Sequence, residues 1–391
     1  MQCIAAERAY ILNNNARKMT MMRLLLLWAL GIACLRGECI TAPVAPGCDG
    51  DIPQTLCFFE GLWLIDGQFF APRSSLPASE VHLHEGHAGD LIIRAMDPRR
   101  HARMHAQETW AGVLSVIHHR IFPHCYAHML RDTLPQDLYA FRRFQQATWD
   151  VPTVRQNLRA LYLDGQTTTH PLYRIHSHFP PWERTQTSIT HNMYFERAVV
   201  GHWGYLPLDR CQSHFFSPDD WDAYAGFIAR AALPLPLPER DPALVWIANR
   251  NRGETREFPG GETLAIDLTR LGFRVITTRP AEIPAWEDQL RLARQASVIL
   301  GPHGSNLANA ILAGRNVTVL ELLARERLSG WYYQQCVYQG ARWVSYPDHP
   351  PAHLSVANAS ALAPLLRRLL QSPHWTPACR YGFYGPFQIC G

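Results

Sequence analysis

Residues 296–309 pass from a β-branched apolar run, through a turn of small residues, into a second apolar run. Residues 298–300 favour a strand, Gly301-Pro302-His303-Gly304 favours a turn, and residues 307–313 favour a helix. A strand, a tight turn and a helix in this order are typical of a βαβ unit, so the segment predicts a parallel sheet. Such a turn brings backbone N–H groups and a helix N-terminus to one point, where an anionic phosphate binds well. The alternative is an ordinary turn of an α/β sheet that binds nothing.

The sequence around this segment continues the alternation. Predicted strands cover residues 243–248, 273–278, 297–300 and 317–322, and predicted helices cover residues 261–271, 286–295 and 307–313. Regular alternation indicates a Rossmann-like sheet of parallel strands. Ligands of such sheets bind at the carboxyl ends of the strands, and the turn at Gly301 lies at one of those ends.

Residues 233–242 alternate proline with other residues, which favours an extended spacer, and we take them as the link between two halves. The predicted division has five parts: 1–38, 39–232, 233–242, 243–352 and 353–391. The second part is less regular than the fourth. In it we predict strands near 91–93, 113–117 and 198–200, a helix over 126–146, and a helix that begins after Ser217.

The ends of the chain and its cysteines indicate the compartment. Arg23 precedes an apolar run, residues 24–35, that is shorter than the about 20 residues of a spanning helix. The run predicts a secretory signal, with an uncleaved signal-anchor as the alternative. Beyond residue 38 the chain has eight cysteines, an even number that favours disulfides in an oxidising compartment; Cys379 and Cys390 could close a local loop. The 391 residues carry a net charge of +4 and no basic stripe, so nucleic acid is excluded as a partner.

Two groups of polar residues accompany the turn. Arg250, Arg252 and Arg256 follow the first strand of the second half and therefore lie at the same sheet edge, where guanidinium groups match phosphate oxygens. In the first half, His128 and Asp132 are four residues apart, so they share a helix face and can supply a general base. His124 extends that row to a spacing that also suits a divalent metal, and a buried structural histidine is the third interpretation.

The two Asp-x-Asp patterns, at Asp49 and at Asp220, do not follow strands. The first lies near the processed N-terminus and the second in a predicted helix start. We therefore expect neither of them to hold a metal for sugar transfer.

Together these segments resemble glycosyltransferase family 61. The resemblance rests on Trp286-Glu287-Asp288-Gln289-Leu290, on the turn Gly301 to Asn309, on Val319-Leu320-Glu321-Leu322, on Arg250, and on the His128 and Asp132 pair. It implies an α/β fold of the GT-B type, in which two Rossmann-like domains face a cleft. The first domain (39–232) would bind the acceptor and the second (243–352) the nucleotide-sugar, followed by a C-terminal helix and a tail between cysteines.

The resemblance also implies a function. It implies an inverting, metal-independent transfer, without a cofactor, of a sugar from a UDP-sugar to a hydroxyl of a glycoprotein or polysaccharide in the Golgi or endoplasmic reticulum lumen. Asp132, or else His128, would accept the acceptor proton. The UDP leaving group would bind to residues of the second domain: Arg250, Arg256, His303, Gly304, Ser305, Asn306, Leu307 and, at the ribose, Glu321.

One departure from the family turn is Ser305-Asn306, which replaces a small Ala-Gly pair. Asn306 would cap the following helix, and its bulk would alter the donor contacts or weaken activity. Two alternatives follow: a secreted sugar- or nucleotide-binding protein with an inactive transferase fold, and a metal-dependent hydrolase that uses His124, His128 and Asp132.

Overall fold

The protein is described by a computed structural model that covers a defined set of residues. They are 38–41, 55–76, 78–84, 90–97, 104–120, 125–145, 150–166, 170–185, 188–201, 216–252, 257–258, 260–283, 285–323, 332, 335–336, 339–347 and 359–371. The apolar run 24–35, His124, Arg256 and the cysteines at 379 and 390 lie outside this set. In the described part of the chain, no helix is both long and apolar enough to span a bilayer.

The first half is built on a mixed sheet of nine strands in the described residues, with the order β4-β5-β3-β2-β9-β6-β7-β8 and β1 beside β2. The strands are β1 (Cys39–Thr41), β2 (Thr55–Ile65), β3 (Gln68–Pro72), β4 (Glu80–His84), β5 (Asp90–Met96), β6 (Glu108–His118), β7 (Leu158–Tyr162), β8 (Trp182–Glu183) and β9 (Met193–Val200). Strands β9, β6, β7 and β8 run parallel, whereas β2 pairs antiparallel with β1, β3 and β9. A disulfide between Cys39 and Cys57 joins β1 to β2.

Among the described residues, the α-helices of the first half follow β6. Helix α1 (Tyr126–His128) continues through a π-helical turn (Met129–Thr133) into α2 (Leu134–Gln145), and α3 (Val151–Asn157) and α4 (Pro218–Ala232) follow. The N-termini of α3 and α4 have clear causes. Asp150 accepts a hydrogen bond from the Thr153 amide, and Ser217 forms a capping box with Asp220. Asp220 therefore has a structural role in the helix start, as the sequence predicted.

The second half is a parallel sheet with the order β11-β10-β12-β13-β14. Its elements are β10 (Leu244–Ala248), α5 (Gly261–Arg270), β11 (Arg274–Thr278), α6 (Trp286–Gln295), β12 (Val298–Pro302), a 3-10 turn (Ser305–Ala308), α7 (Asn309–Ala313), β13 (Thr318–Leu323), β14 (Arg342–Pro347) and α8 (Ala359–Gln371). All four pairings are parallel, and helices connect β10 to β11, β11 to β12 and β12 to β13. The α/β class is confirmed, and the Rossmann-like expectation holds most fully for this sheet.

The two halves share one apolar core. Phe141 of α2, Trp221 and Tyr224 of α4 and Ile311 of α7 are buried in the same cluster. Burial of side chains this large contributes about 1.5–3 kcal/mol each, so the cluster holds the halves together beyond the covalent link. Residues 233–242 form neither helix nor strand, and Leu235 among them is 75% exposed. Their predicted role as a link between two halves stays a prediction.

Candidate active site

The carboxyl edge of the second sheet positions the predicted polar residues. Strands β10 and β12 pair in parallel, with Ile247 opposite Leu300, so Arg250 and His303 leave neighbouring strands at the same edge. Strand β13 pairs with β12 on its other side, with Gly301 opposite Glu321. The prediction that the arginine loop and the turn meet at one sheet edge is therefore confirmed for Arg250, while Arg256 lies outside the described residues.

Gly304 and Gly301 lack a side chain for different reasons. A Cβ on Gly304 would lie 2.4 Å from the nearer terminal nitrogen of Arg250, so the glycine leaves room for the guanidinium over the turn. A Cβ on Gly301 would lie 2.5 Å from the Ala248 carbonyl oxygen, which belongs to the neighbouring strand. Gly304 thus leaves space for the Arg250 guanidinium above the turn. Gly301 permits close packing of the strands, which explains this glycine without a ligand.

His303 is fixed by a buried carboxylate. Its Nδ1 hydrogen-bonds to Glu321, whose second oxygen accepts a 2.8 Å hydrogen bond from the indole N–H of Trp343. The ring of His303 also packs edge-on against Tyr332, and the Tyr332 hydroxyl donates to the Gly304 carbonyl. Glu321 is fully buried and both its oxygens accept hydrogen bonds from the protein, so these contacts make it a positioning group for the histidine. Its predicted contact with a ribose stays a prediction.

The departure at Ser305-Asn306 is accommodated by contacts within the protein. The Asn306 side-chain amide donates to the Asn249 carbonyl, which fixes the backbone next to Arg250. The Ser305 hydroxyl lies 3.7 Å from the Cys125 sulfur, at the start of α1. The expectation that Asn306 caps the helix is wrong, because no side chain caps the 3-10 turn or α7.

The turn after Gly304 differs from the prediction in a second way. The amide N–H of Leu307 donates to the Gly304 carbonyl at 3.0 Å, and the Leu307 side chain is fully buried. Leu307 is therefore a core residue whose amide closes the 3-10 turn, and its predicted role in donor binding is corrected. Only five residues, Asn309–Ala313, are α-helical after this turn. The helix dipole at this point is thus weaker than the sequence suggested, because a short helix sums few peptide dipoles.

The histidine–aspartate pair lies in the helix after β6. His128 Nδ1 and an Asp132 carboxylate oxygen are 2.6 Å apart, and Asp132 lies in the π-helical turn. Such turns are uncommon and occur frequently at functional sites. The side chain of His128 is 17% exposed, whereas that of Asp132 is only 3% exposed. The carboxylate can therefore orient the ring, and the ring is the member of the pair that solvent or a substrate can reach.

Hydrogen bonds join this helix to the turn of the second half. The Tyr126 hydroxyl donates to the side-chain amide oxygen of Asn309 at 2.7 Å. The Asn309 amide in turn donates to the Gln289 side chain at 3.1 Å and to the Asn306 carbonyl at 2.9 Å. Asn309 is fully buried. Tyr126 is buried as well, and its burial raises the pKa of its hydroxyl. The network places His128, two residues after Tyr126, beside the turn that carries His303 and Gly304.

Sequence reasoning missed the residues that build this junction. Gln289 and Asn309 belong to the motifs that carried the family resemblance, so a signal for them existed without an assigned role. Tyr126 lies beside the predicted pair and could have been included on position alone. Tyr332 and Trp343 reach the site through long-range packing and had no signal in the sequence.

Further predictions concern metals and cysteines. Among the residues that the structure describes, no three His, Cys, Asp or Glu side chains form a group that could hold a metal ion. Cys125 and Cys336 are not disulfide-bonded, and burial together with the nearby Glu321 raises the pKa of the Cys336 thiol. The disulfide expectation is therefore confirmed for Cys39 and Cys57, and Cys379 and Cys390 lie outside the described residues.

Comparison with known proteins identifies the family of this chain. The family model described as Glycosyltransferase 61 matches residues 126–320, which span His128, Arg250 and His303. A search of curated proteins finds no match. Among solved structures, the chain is similar to the bacterial iron-containing dodecameric glycosyltransferase TibC from enterotoxigenic E. coli H10407. The two sequences are 12% identical. The match covers 74% of this chain and 83% of that chain, with a TM-score of 0.29.

Proposed function

We propose that this chain moves a sugar from a UDP-sugar to a hydroxyl of a glycoprotein or polysaccharide. The chain belongs to glycosyltransferase family 61 and is a glycosyltransferase. The observation that carries the proposal is the junction between the two halves. The 2.7 Å hydrogen bond from Tyr126 to Asn309 holds the helix of a histidine–carboxylate pair beside a turn with a cation over it. A base next to a site for an anionic leaving group is the arrangement that transfer of a sugar to a hydroxyl requires.

In the proposed reaction, His128 is the general base and Asp132 orients it. The ring nitrogen opposite the Asp132 contact, Nε2, takes the proton of the acceptor hydroxyl. The acceptor oxygen forms a new bond to C1 of the sugar while the bond from C1 to the phosphate oxygen breaks, and UDP leaves with the electron pair. Attack from the side opposite UDP inverts the configuration at C1. We prefer His128 to Asp132 as base because the carboxylate is nearly fully buried.

Arg250 and His303 would stabilise the negative charge that develops on UDP. Guanidinium groups bind phosphate oxygens through two parallel hydrogen bonds, and a charge placed in advance costs no reorganisation during the reaction. Gly304 and Ser305 contribute the backbone of the turn beneath the guanidinium. We propose that the Arg250 cation, together with the His303 ring, takes the part that a divalent metal has in other transferases, with no cofactor.

The disulfide between Cys39 and Cys57 supports a location in the secretory pathway, because such bonds persist in oxidising compartments. We propose that the reaction takes place in the lumen of the Golgi or endoplasmic reticulum.

Donor binding and metal dependence can be tested on the purified full chain. UDP at 100 times its Kd should raise the free energy of unfolding by about 2.7 kcal/mol. Arg250→Gln should remove most of that stabilisation. Arg270→Gln should not, since Arg270 lies on α5 with its side chain 74% exposed. Release of UDP from a UDP-sugar should continue in excess EDTA, and the product anomer should be inverted. Binding of UDP without turnover of any UDP-sugar, or loss of turnover in EDTA, would overturn the proposal.

A further inference from the structure

A cavity of about 600 Å³ lies beside the edge strand β8, and none of its lining residues belongs to the donor turn. Small-molecule sites commonly occupy roughly 300–1,000 Å³, so the cavity is large enough for one or two sugar units. Its walls come from α3, from a 3-10 turn (Pro171–Ile175) and from the residues that lead into β8. This part of the first half takes no part in the reaction as described above.

The cavity carries an excess of positive charge. Arg155 lines it with a guanidinium held in place by the Ile175 carbonyl at 2.8 Å and the Arg174 carbonyl at 3.1 Å. Arg174 is an exposed second cation, and no carboxylate in the described part of the chain pairs with it. The acidic lining residue is Glu183, which already accepts a 2.9 Å hydrogen bond from the buried Arg120. Two arginines therefore line the cavity without a carboxylate partner among the described residues.

One wall of the cavity is flat and rigid. Phe179 is followed by Pro180 and Pro181, and all three line the space. The Ser177 hydroxyl donates to the Leu158 carbonyl at 2.6 Å and accepts from the Phe179 amide at 3.1 Å, which ties this wall to the start of β7. An aromatic ring and two pyrrolidine rings present the kind of apolar surface on which the C–H face of a sugar ring packs.

His170 links the cavity to the proposed active site. Its ring packs against the ring of Tyr126 with centroids 5.4 Å apart, and Tyr126 lies two residues before His128. The Leu172 amide donates to His170 Nδ1 at 3.3 Å, and burial lowers the pKa of this histidine. The neutral ring therefore carries its proton on Nε2, which gives the cavity wall a hydrogen-bond donor next to the catalytic helix.

We propose that this cavity is an acceptor subsite that binds an anionic saccharide, whose carboxylate or other acidic group pairs with Arg155 and Arg174 while its ring lies against Phe179. The assignment as an acceptor subsite rests on the proposed transferase function, whereas binding itself does not. A guanidinium binds an acidic group by charge-assisted hydrogen bonds, and a neutral saccharide would leave both cations without a counter-charge.

Binding is measured on the full chain without any donor, by calorimetry with a hexuronic acid oligosaccharide and with its carboxyl-reduced, neutral counterpart of equal length. We expect the acidic form to bind and the neutral form to bind at least roughly tenfold more weakly. Arg174→Gln should weaken binding of the acidic form by roughly five- to tenfold, since the side chain is exposed and its pair is partly screened. Arg174→Glu should abolish binding. Arg270→Gln is the matched control, and all variants should melt with the wild type because neither side chain is buried.

Three results would overturn the subsite: equal binding of the acidic and neutral forms, an equal loss in the Arg270 control, or displacement of the saccharide by UDP alone. Binding of an acidic peptide in preference to the acidic saccharide would also overturn it. If the uronide fails to bind while UDP-sugar turnover persists, the subsite is wrong and the transferase proposal stands. If the uronide binds but no UDP-sugar is turned over, the transferase proposal is wrong and the cavity is a saccharide site of another kind.

Discussion

Replacing Asn309 with alanine should weaken the junction between the two halves more than any exposed substitution. Asn309 is fully buried, and its side chain accepts from Tyr126 at 2.7 Å and donates to Gln289 at 3.1 Å. Truncation removes the partner of the Tyr126 hydroxyl, of the Gln289 side-chain oxygen and of the Asn306 carbonyl. Each buried polar group left without a partner costs about 1–3 kcal/mol, so we expect a total loss of about 3 kcal/mol.

The assay is equilibrium unfolding in urea, combined with a double-mutant cycle. Tyr126→Phe alone should cost about 1–2 kcal/mol, because it removes the donor and leaves the Asn309 oxygen unsatisfied. In the double variant, Tyr126→Phe with Asn309→Ala, the two effects should not add, and the coupling should be at least about 1 kcal/mol. Tyr194→Phe is the matched control; no hydrogen bond of its hydroxyl is seen among the described residues, so it should cost less than about 0.5 kcal/mol.

A cost of less than about 1 kcal/mol for Asn309→Ala, or additive effects of the two substitutions, would refute this prediction. Either result would mean that the hydrogen bonds between α1 and the turn do not stabilise the junction. The shared apolar core alone would then hold the halves together, and the position of His128 beside the turn would need another explanation.

Three other perturbations probe the site and its support. Gly304→Ala should lower UDP affinity about tenfold, measured by titration, because the new Cβ displaces the Arg250 guanidinium and a charge-assisted hydrogen bond is lost; unchanged affinity would remove Arg250 from the donor site. Glu321→Gln should also weaken UDP binding, since an amide cannot accept from both His303 and Trp343 as the carboxylate does; retention of full affinity would contradict its positioning role. Protonation of Asp137 in acid should lower the free energy of unfolding by about 2 kcal/mol, as the pH falls from 3.8 to about 2. Burial alone would raise the pKa of Asp137, but hydrogen bonds and charges of His118 and His176 outweigh burial and lower it to about 2. A group with a lowered pKa stabilises the fold above its ordinary value and stops doing so as it is protonated, so Asp137→Asn should flatten this part of the stability curve.

The second half could be predicted from the sequence because its signals are local. Helix α6 was predicted over the residues that form it, since acidic residues begin the helix and Leu290 and Ala293 recur on one face. Strands β10 and β12 are short apolar runs between turn residues. Their parallel pairing followed from the helices between them, and so the position of Arg250 and His303 at one sheet edge followed as well.

The first half was harder because its pairings are not local. Strand β2 is buried on both faces over most of its length, so it shows no alternation of polar and apolar side chains. Its antiparallel pairing with β9 joins segments far apart in the sequence. The π-helical turn at Asp132 and the contact of Tyr332 with Gly304 depend on packing around them, and the sequence carries no local pattern for either.

The central claim is that His128 is the base of a sugar transfer from UDP-sugar to a hydroxyl. The most direct measurement compares transfer by the wild type and by His128→Ala, at saturating donor and acceptor, after the productive UDP-sugar has been identified by UDP release. The account predicts that kcat falls by about 10²–10⁴-fold while UDP binds with unchanged affinity, because the residue acts on the acceptor proton and not on the donor. Transfer by His128→Ala within roughly threefold of the wild-type rate would contradict the account, because a general base contributes far more than that.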